Sequence, residues 1–310
     1  MIVASQRLAL SLLLAAAVIA GAGTAHARTT EGKACDNLVM RLNEVMPETQ
    51  LQRNIALFKA AAINCTGAAK RLVAAGASTE AANRFGTTAL GEAARKGRVA
   101  MIDLLLKHGA RIDARNVGGA TPLYIAANGD RTRAVHELLA KGADPNIARK
   151  NGLTPLAAAA YNGNEAIVAD LLAHHANPNT PDKTEKTAIL YAAAKGFTPV
   201  VQRLLDAGVD PRAAYGNHLT ALMWAAGYAA GAGIDDAQSV AKLLLDHGAR
   251  LDAADNRGRT ALMIAAQTGH LEMVDLLLSR GANRSLRDKA GKTAADLAAT
   301  AAIRKRLMEQ

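Results

Sequence analysis

Apolar positions recur along most of this chain in a pattern that repeats at a fixed interval. Each copy begins at a threonine, carries two adjacent alanines five and six residues later, and in most copies continues into a run with two adjacent leucines. The threonines are Thr88, Thr121, Thr154, Thr187, Thr220, Thr260 and Thr293. They are separated by 33 residues, except for one interval of 40 residues between Thr220 and Thr260. A period of this length predicts stacked helical units, none of which can bury its apolar face alone.

Each copy predicts a short helix, a tight turn, a second helix and a loop. The threonine hydroxyl can accept hydrogen bonds from the unpaired N–H groups at the start of the first helix. Pro122 and Pro155 tolerate the next position because no donor is needed there. The paired alanines allow the two helices to approach closely. The second helix ends at a glycine such as Gly109, which suits a left-handed residue, although His175 replaces that glycine once.

The 33-residue period and the Thr-Pro-Leu phrases at Thr121 and Thr154 resemble the ankyrin repeat. The resemblance predicts a repeat domain over residues 52–310, with about seven repeats and a C-terminal cap. In a degenerate first repeat, Ile55 stands where the threonine is expected. The resemblance implies an all-α solenoid of helix–turn–helix repeats with β-hairpin fingers, and a function in binding other proteins.

Residues 1–27 are typical of a secretory signal peptide. Arg7 supplies the positive charge, residues 8–20 are apolar, and Ala25-His26-Ala27 is a small-x-small cleavage site. The alternative is a membrane anchor, which needs about 20 apolar residues. We expect cleavage, no transmembrane segment in the mature chain, and a periplasmic or secreted monomer.

Residues 28–51 precede the repeats. Arg28 to Lys33 is predicted to be a polar tether. The spacing of apolar residues between Cys35 and Met46 predicts a capping helix that ends at Pro47. This helix would cover the open apolar end of the stack.

Cys35 and Cys65 are the only cysteines of the chain. In an exported protein two cysteines are expected to form a disulfide, which here would join the capping helix to the stack. The alternative is a catalytic cysteine, but no local signature supports one, and no Cys-x-x-Cys pattern is present.

Two features break the repetition. The long interval after Thr220 places seven extra residues in the glycine-rich stretch 227–236, which predicts a longer turn between two helices. The fingers, which are the segments ahead of each threonine, carry Glu185 and His218 where a glycine is expected. These changes fit either neutral drift in exposed turns or a specialised contact region on the fifth and sixth repeats.

The chain is basic overall. It has 37 basic and 27 acidic residues, a net charge of +10, and losing the signal peptide removes Arg7 and no acid. Such a balance is typical of proteins that bind nucleic acid, a membrane surface or an acidic protein, and export disfavours nucleic acid. Only 3% of the residues are aromatic, which suits close helix packing better than a core around a bulky cofactor.

Motifs for catalysis and metal binding are absent from the sequence. There is no Gly-x-Ser-x-Gly phrase, no Walker loop, no His-Glu-x-x-His and no cysteine–histidine zinc spacing. His108, His175 and His247 recur at the ends of second helices, where the resemblance implies an exposed polar residue. We therefore predict no catalytic residue, no metal and no cofactor.

The resemblance also implies which side chains line a concave groove. They stand six, four, three and one residue before each threonine and seven and eight residues after it, and we name these 42 sites the groove positions. None of them is acidic, and thirteen are basic: Arg84, Arg95, Lys96, Arg115, Lys150, Lys183, Lys186, Lys195, Arg257, Arg259, Arg287, Lys289 and Lys292. The aromatic residues predicted to anchor a partner there are Phe85, Tyr161, Tyr215 and Tyr228.

The excess of bases at the groove positions predicts electrostatic binding of an acidic protein partner. The protein would then be a non-catalytic scaffold or accessory factor. The alternative is an envelope-associated protein whose basic face binds anionic lipid or polysaccharide.

Overall fold

The computed structural model describes residues 30–227 and 234–309. The predicted signal peptide and Tyr228 lie outside these residues. The chain divides into two compact units, one ending at Ser78 and the other beginning at Thr79. Nearly all regular structure in the described part is helical, which confirms the prediction of an all-α repeat fold. None of the described helices combines the length and the apolar content needed to cross a membrane.

The first unit is built from a capping helix and one helix pair. Its described helices are α1 (Thr30–Glu44), α2 (Gln50–Ala62) and α3 (Thr66–Ala74). Leu38 and Leu42 of α1 are buried, and α1 packs on α3. Thr49 and Gln52 form a reciprocal capping box that starts α2, with both hydrogen bonds at 3.2 Å.

Helix α1 begins earlier than the sequence analysis predicts. The segment from Arg28 to Lys33 is predicted to be a tether, but the chain is helical from Thr30 onward. Glu31 lies in the first turn, where a negative charge interacts favourably with the positive end of the helix dipole. The prediction of a tether is therefore wrong for residues 30–33, and Arg28 and Thr29 lie outside the described residues.

Helix α1 is held against the helix pair by a sulfur–sulfur contact and by polar bonds. The sulfur atoms of Cys35 and Cys65 lie at disulfide distance, 2.03 Å apart, and Cys65 is fully buried at the start of α3. The guanidinium group of Arg71 in α3 donates to the carbonyl oxygen of Leu42 over 2.9 Å and to the side chain of Asn43. The capping helix is thus fixed at two places along its length.

The second unit consists of successive helix pairs. The first helices are α4 (Ala89–Arg95), α6 (Pro122–Asn128), α8 (Pro155–Asn162), α10 (Ala188–Lys195), α12 (Ala221–Gly227), α14 (Ala261–Thr268) and α16 (Ala294–Leu297). The second helices are α5 (Val99–Lys107), α7 (Thr132–Ala140), α9 (Glu165–Ala173), α11 (Thr198–Asp206), α13 (Ile234–Asp246), α15 (Leu271–Ser279) and α17 (Ala301–Met308). Two short antiparallel strands form a hairpin ahead of α12, and they are β1 (Ala214–Tyr215) and β2 (Leu219–Thr220).

Threonine caps start the first helices, as predicted. The hydroxyl accepts a hydrogen bond from the backbone N–H three residues further on, at 3.1–3.4 Å, in Thr88, Thr121, Thr154, Thr220, Thr260 and Thr293. A cap of this kind stabilises a helix by about 1 kcal/mol. Thr187 is the exception, because its side chain makes no capping bond. It is fully buried, as Thr121 is.

The paired alanines form the contact between successive first helices. Ala159 and Ala160 in α8, and Ala192 and Ala193 in α10, have no solvent exposure, and these two helices pack against each other. Buried leucines of the second helices, such as Leu171, complete the core. Because alanine carries only a methyl group, the helix backbones can approach closely at these positions.

The seven extra residues after Thr220 do not all lie in the turn between the helices. Helix α13 begins at Ile234 and has 13 residues, whereas the second helix α11 has nine. Asp236 lies in its first turn, where an acidic residue stabilises the helix start. The prediction that the stretch 227–236 only lengthens a turn is wrong from Ile234 onward, and residues 228–233 lie outside the described residues.

The fingers contact one another through a row of backbone hydrogen bonds. An N–H at each tip donates to a carbonyl oxygen of the preceding tip at 2.9–3.0 Å, and the donors are Val117, Lys150, Lys183, Asn256 and Lys289. Among the described fingers, the bond is missing between Gly216 and Thr184. The same two fingers carry Glu185 and His218 in left-handed conformations, with φ of 61° and 60°.

Replacing both Cys35 and Cys65 with alanine is expected to lower the free energy of unfolding by about 3–4 kcal/mol, because the unfolded chain gains the freedom of a span of 30 residues. Urea denaturation followed by circular dichroism measures the change. Reduced wild-type protein is the control and should resemble the variant. Equal stability of the variant and the oxidised wild type would contradict a bond in the folded protein.

A second prediction compares two glycines, each in a left-handed conformation. They are Gly152 at a finger tip (φ 85°) and Gly142 after α7 (φ 88°). An added Cβ at Gly152 would lie 2.8 Å from the backbone nitrogen of Lys183, whereas nothing lies within 4 Å at Gly142. Gly152→Ala should therefore destabilise the protein by about 1 kcal/mol or more beyond the effect of Gly142→Ala. Urea denaturation compares the two variants, and equal effects would show that contact between the tips is unimportant.

Candidate partner-binding surface

The fingers are held in shape by side chains five residues ahead of the threonines. The carboxylate of Asp182 accepts hydrogen bonds from the N–H groups of Thr184 (2.7 Å) and Lys186 (3.1 Å). Asp255 and Asp288 make the matching bonds in later fingers, and all three aspartates are buried. These acids stabilise the fingers from inside, and Asp255 and Asp288 also meet the groove arginines Arg257 (3.4 Å) and Arg259 (3.9 Å).

Several arginines at the groove positions bind the backbone of the protein itself. Arg115 donates to the carbonyl oxygens of Gly119 (3.2 Å) and Ala148 (2.8 Å), so it links two fingers. Arg287 donates to the carbonyl oxygen of Gly291 over 2.7 Å. The guanidinium group offers several donors in a fixed geometry, which suits it to this bracing.

Other groove arginines meet side chains of the same or the next repeat. The pairs are Arg95 with Glu92 (2.5 Å), Arg257 with Asp255 (3.4 Å) and Arg259 with Gln267 (2.6 Å). Exposed pairs of this kind contribute little stability. Glu92 and Asp255 do, however, reduce the positive charge that Arg95 and Arg257 offer to a partner.

The lysines at the groove positions differ from the arginines. Those that are exposed and form no ion pair with any described residue are Lys96, Lys150, Lys183, Lys289 and Lys292. Their ammonium groups stay hydrated and can meet carboxylates from another molecule. Most arginines among the thirteen predicted bases are thus engaged within the protein, whereas five of the seven lysines face solvent.

Phe85 and Val117 form an apolar edge at two neighbouring finger tips. Phe85 is 58% exposed and Val117 is 61% exposed, and the Val117 N–H donates to the carbonyl oxygen of Phe85 over 3.0 Å. The guanidinium carbon of Arg84 lies 4.7 Å from the centroid of the Phe85 ring. Phe85 is therefore exposed beside a positive charge, and its role as an anchor stays a prediction.

Side chains from three successive repeats form a continuous line that we name the basic–aromatic row: Lys195, Tyr161, Tyr191, Lys186 and Trp224. The Lys195 ammonium lies 5.1 Å from the ring centroid of Tyr161. The Tyr161 and Tyr191 rings form a T-shaped contact, with their centroids 5.8 Å apart. The Lys186 ammonium lies 5.8 Å from the Tyr191 centroid and 5.0 Å from the Trp224 centroid. Each distance is within the range in which a cation is attracted to an aromatic ring.

Tyr191 is fixed in this row by a hydrogen bond from its hydroxyl to the carboxylate of Asp182. Burial and this hydrogen bond raise the pKa of Tyr191 well above its usual range. Burial alone would raise the pKa of Asp182, but hydrogen bonds from Tyr191, Thr184 and Lys186 lower it overall. Tyr191 is therefore protonated and Asp182 is ionised at neutral pH, so the bond persists there.

The remaining predicted anchors differ in exposure. Tyr161 is 49% exposed and lies within the basic–aromatic row. Tyr215 is half-buried in β1, and burial raises the pKa of its hydroxyl. It offers a partner less surface than Tyr161 or Phe85 does. Tyr228 lies outside the described residues.

The sequence analysis missed the residues that complete these contacts. Tyr191 and Trp224 stand four residues after their threonines, which is not one of the groove positions. Arg149 and Tyr124 were also missed, and the Arg149 guanidinium lies 5.5 Å from the Tyr124 ring centroid. The available signal was their rarity, since only 3% of the residues are aromatic.

The described residues contain no group of three or more His, Cys, Asp and Glu side chains that could hold a metal ion. The densest histidine site is on the second helices, where Asp170 lies between His136 (3.3 Å) and His174 (3.5 Å). One carboxylate between two imidazoles forms an ion-pair cluster when a histidine is protonated.

A family model described as ankyrin repeats (3 copies) matches the chain in overlapping windows, namely residues 30–116, 57–149, 112–182, 156–255, 189–288 and 227–306. The windows together span most of the chain. A comparison with curated proteins finds no match. Ankyrin repeats generally mediate protein–protein interaction and are typically non-catalytic. The chain belongs to the ankyrin repeat family.

Proposed function

We propose that this protein is a non-catalytic scaffold or accessory factor that binds an acidic protein partner through its groove positions. The observation that carries the proposal is the set of exposed lysines without an ion pair, Lys96, Lys150, Lys183, Lys289 and Lys292. They project from the fingers and the ends of first helices. Asp182 and Asp288 in the same fingers are buried and engaged with the backbone, and Glu185 is an exposed acid on the finger of Lys183.

Binding of this kind depends on several weak contacts. One exposed ion pair contributes about 0–1 kcal/mol, so no single lysine should dominate the affinity. The summed positive charge speeds the encounter with an acidic partner, and this steering weakens as salt is added. The affinity and the association rate should therefore both fall with ionic strength.

We also propose that the protein is exported as a monomer to the periplasm or the cell exterior. The signal-like residues 1–27 support export, and cleavage after Ala27 would leave every described helix intact, because α1 begins at Thr30. The paired sulfurs of Cys35 and Cys65 fit an oxidising compartment.

Reversing three groove lysines, Lys150, Lys183 and Lys289, to glutamate should weaken binding to poly-L-glutamate by about tenfold or more, because three weak attractions become repulsions. Fluorescence anisotropy with labelled poly-L-glutamate at low and moderate salt measures the change. Thermal unfolding should be nearly unchanged, since these side chains are exposed.

The matched control reverses Lys70, Arg133 and Lys242, which are exposed on the second helices α3, α7 and α13. Lys107 and Lys141 are unsuitable for it because both pair with Asp103, at 2.8 Å and 3.4 Å. The control variant should bind like the wild type. An equal loss in both variants would reject the groove, and binding of the wild type to anionic liposomes but not to poly-L-glutamate would favour a membrane ligand.

Expression with residues 1–27 in a bacterial host should yield a periplasmic chain that begins near Arg28. Its unreduced mass should be lower than that of the dithiol by two hydrogen atoms, because the compartment is oxidising. A chain without residues 1–27 is the control and should stay in the cytoplasm with reactive thiols. An uncleaved, membrane-bound product or free thiols in the periplasm would contradict the proposal of export.

A further inference from the structure

The basic–aromatic row holds two lysine side chains in a defined place. Lys186 rests on the rings of Tyr191 and Trp224, and Lys195 rests on Tyr161. Both lysines are half-buried, unlike the solvated Lys150. A free lysine loses about 1.5–2 kcal/mol of conformational entropy when a partner fixes it. Because the rings already restrain Lys186 and Lys195, binding here costs less of this entropy than at an exposed lysine.

The chemistry of the row favours an anion as its ligand. The ring faces that could attract a cation are already covered by the ammonium groups of the protein itself. The Lys186 ammonium also occupies one face of Tyr191 and one face of Trp224 on which a sugar could otherwise stack. An ammonium group donates strong hydrogen bonds to a carboxylate. The row therefore suits a carboxylate better than a cationic or a carbohydrate ligand.

Two acids beside the row limit how much negative charge it can accept. Asp182 is ionised beneath Tyr191, and Glu185 is exposed on the same finger. A single carboxylate adds one negative charge near these acids when it meets Lys186 or Lys195. A dense anionic surface would bring several charges close to them, and like charges repel.

The backbone around the row is also unlike the rest of the fingers. Glu185, Asn217 and His218 have φ of 61°, 58° and 60°, and a left-handed conformation costs about 1 kcal/mol or more for a residue other than glycine. The hydrogen bond that joins other neighbouring tips is missing between Thr184 and Gly216. Each of these fingers stays joined to its other neighbour through Lys183 or Asn217, and the Glu185 side chain lies against Gly216. The Thr184 carbonyl oxygen and the Gly216 N–H are therefore not bonded to each other, and a partner segment could bind at this break in the row of tip bonds.

We infer that the basic–aromatic row is the main anchoring site of the groove and takes acidic side chains from an extended segment of the protein partner. Lys186 and Lys195 bind the carboxylates, and the exposed part of Tyr161 contacts the aliphatic part of the same segment. This inference rests on the proposed function, because it names the part of the groove that supplies most of the affinity.

The single tryptophan of the chain makes the row directly observable. Trp224 contacts Lys186, so poly-L-glutamate bound at the row should change the tryptophan emission of the wild type. Lys186→Gln with Lys195→Gln should remove this change and weaken binding by about tenfold. Lys150→Gln with Lys289→Gln removes the same charge from exposed groove positions and should weaken binding by about threefold at most, with the emission change retained.

Two further measurements make the outcome decisive. Lys186→Arg with Lys195→Arg keeps the charge and the ring contacts, so it should retain both binding and the emission change. Thermal unfolding of all pairs, followed by circular dichroism, shows whether a loss of binding comes from a loss of structure. If the Gln pair at the row unfolds, an emission change in the wild type and in the Arg pair supports the anchoring site. Absence of that change in both overturns it.

Failure of the anchoring site and failure of the proposed function give different results. Equal weakening by the two Gln pairs, with no emission change in the wild type, overturns the anchoring site and leaves groove binding intact. Failure of the wild type to bind poly-L-glutamate overturns the proposed function as well. An emission change on adding polygalacturonate, at lower concentration than poly-L-glutamate requires, assigns the row to an acidic polysaccharide and overturns the inference.

Discussion

The contact between successive first helices controls the geometry of the second unit. Paired alanines such as Ala126 and Ala127, or Ala159 and Ala160, have no solvent exposure, and their small side chains allow the helix backbones to pack closely. The fingers continue directly into these helices. A fixed helix spacing therefore gives a fixed spacing of the tips, which is why most tips are joined by hydrogen bonds of 2.9–3.0 Å. A larger side chain at one alanine pair would disturb the fingers as well as the core.

The fifth and sixth repeats depart from this regularity in the fingers and keep it in the helices. Ala192 and Ala226 are fully buried, like their equivalents in other repeats. The tip bond between Thr184 and Gly216 is nevertheless missing. The helix contact therefore keeps the side chains of the basic–aromatic row in register, while the two tips above them lack the backbone bond to each other. Each tip is still joined to its other neighbour, so a single break lies above a rigid base, which suits recognition of another chain.

The period of the sequence predicts most of the fold because the signals it carries are local. A threonine caps the helix that follows it, and a glycine or its substitute ends the helix before it, as His175 does with φ of 66°. Thr187 shows the limit, since it keeps the offset of the other threonines and makes no capping bond. The basic–aromatic row was not predictable in this way. An offset gives the place of Lys186 in its repeat, but not that its long side chain reaches Trp224 in the next one.

The division between arginines and lysines explains how a strongly basic surface remains compatible with the fold. Neighbouring bases repel one another, and repulsion is weakest where a charge is held against carbonyl dipoles, as Arg115 is at Gly119 and Ala148. The planar guanidinium group can bond two fingers at once, whereas a lysine ammonium is a hydrated point charge on a flexible stem. Arginine is thus the better brace, and lysine is the better contact for a carboxylate that arrives from outside. Lys186 combines the two properties, because the aromatic rings restrain its stem as a brace would while its ammonium group remains a donor.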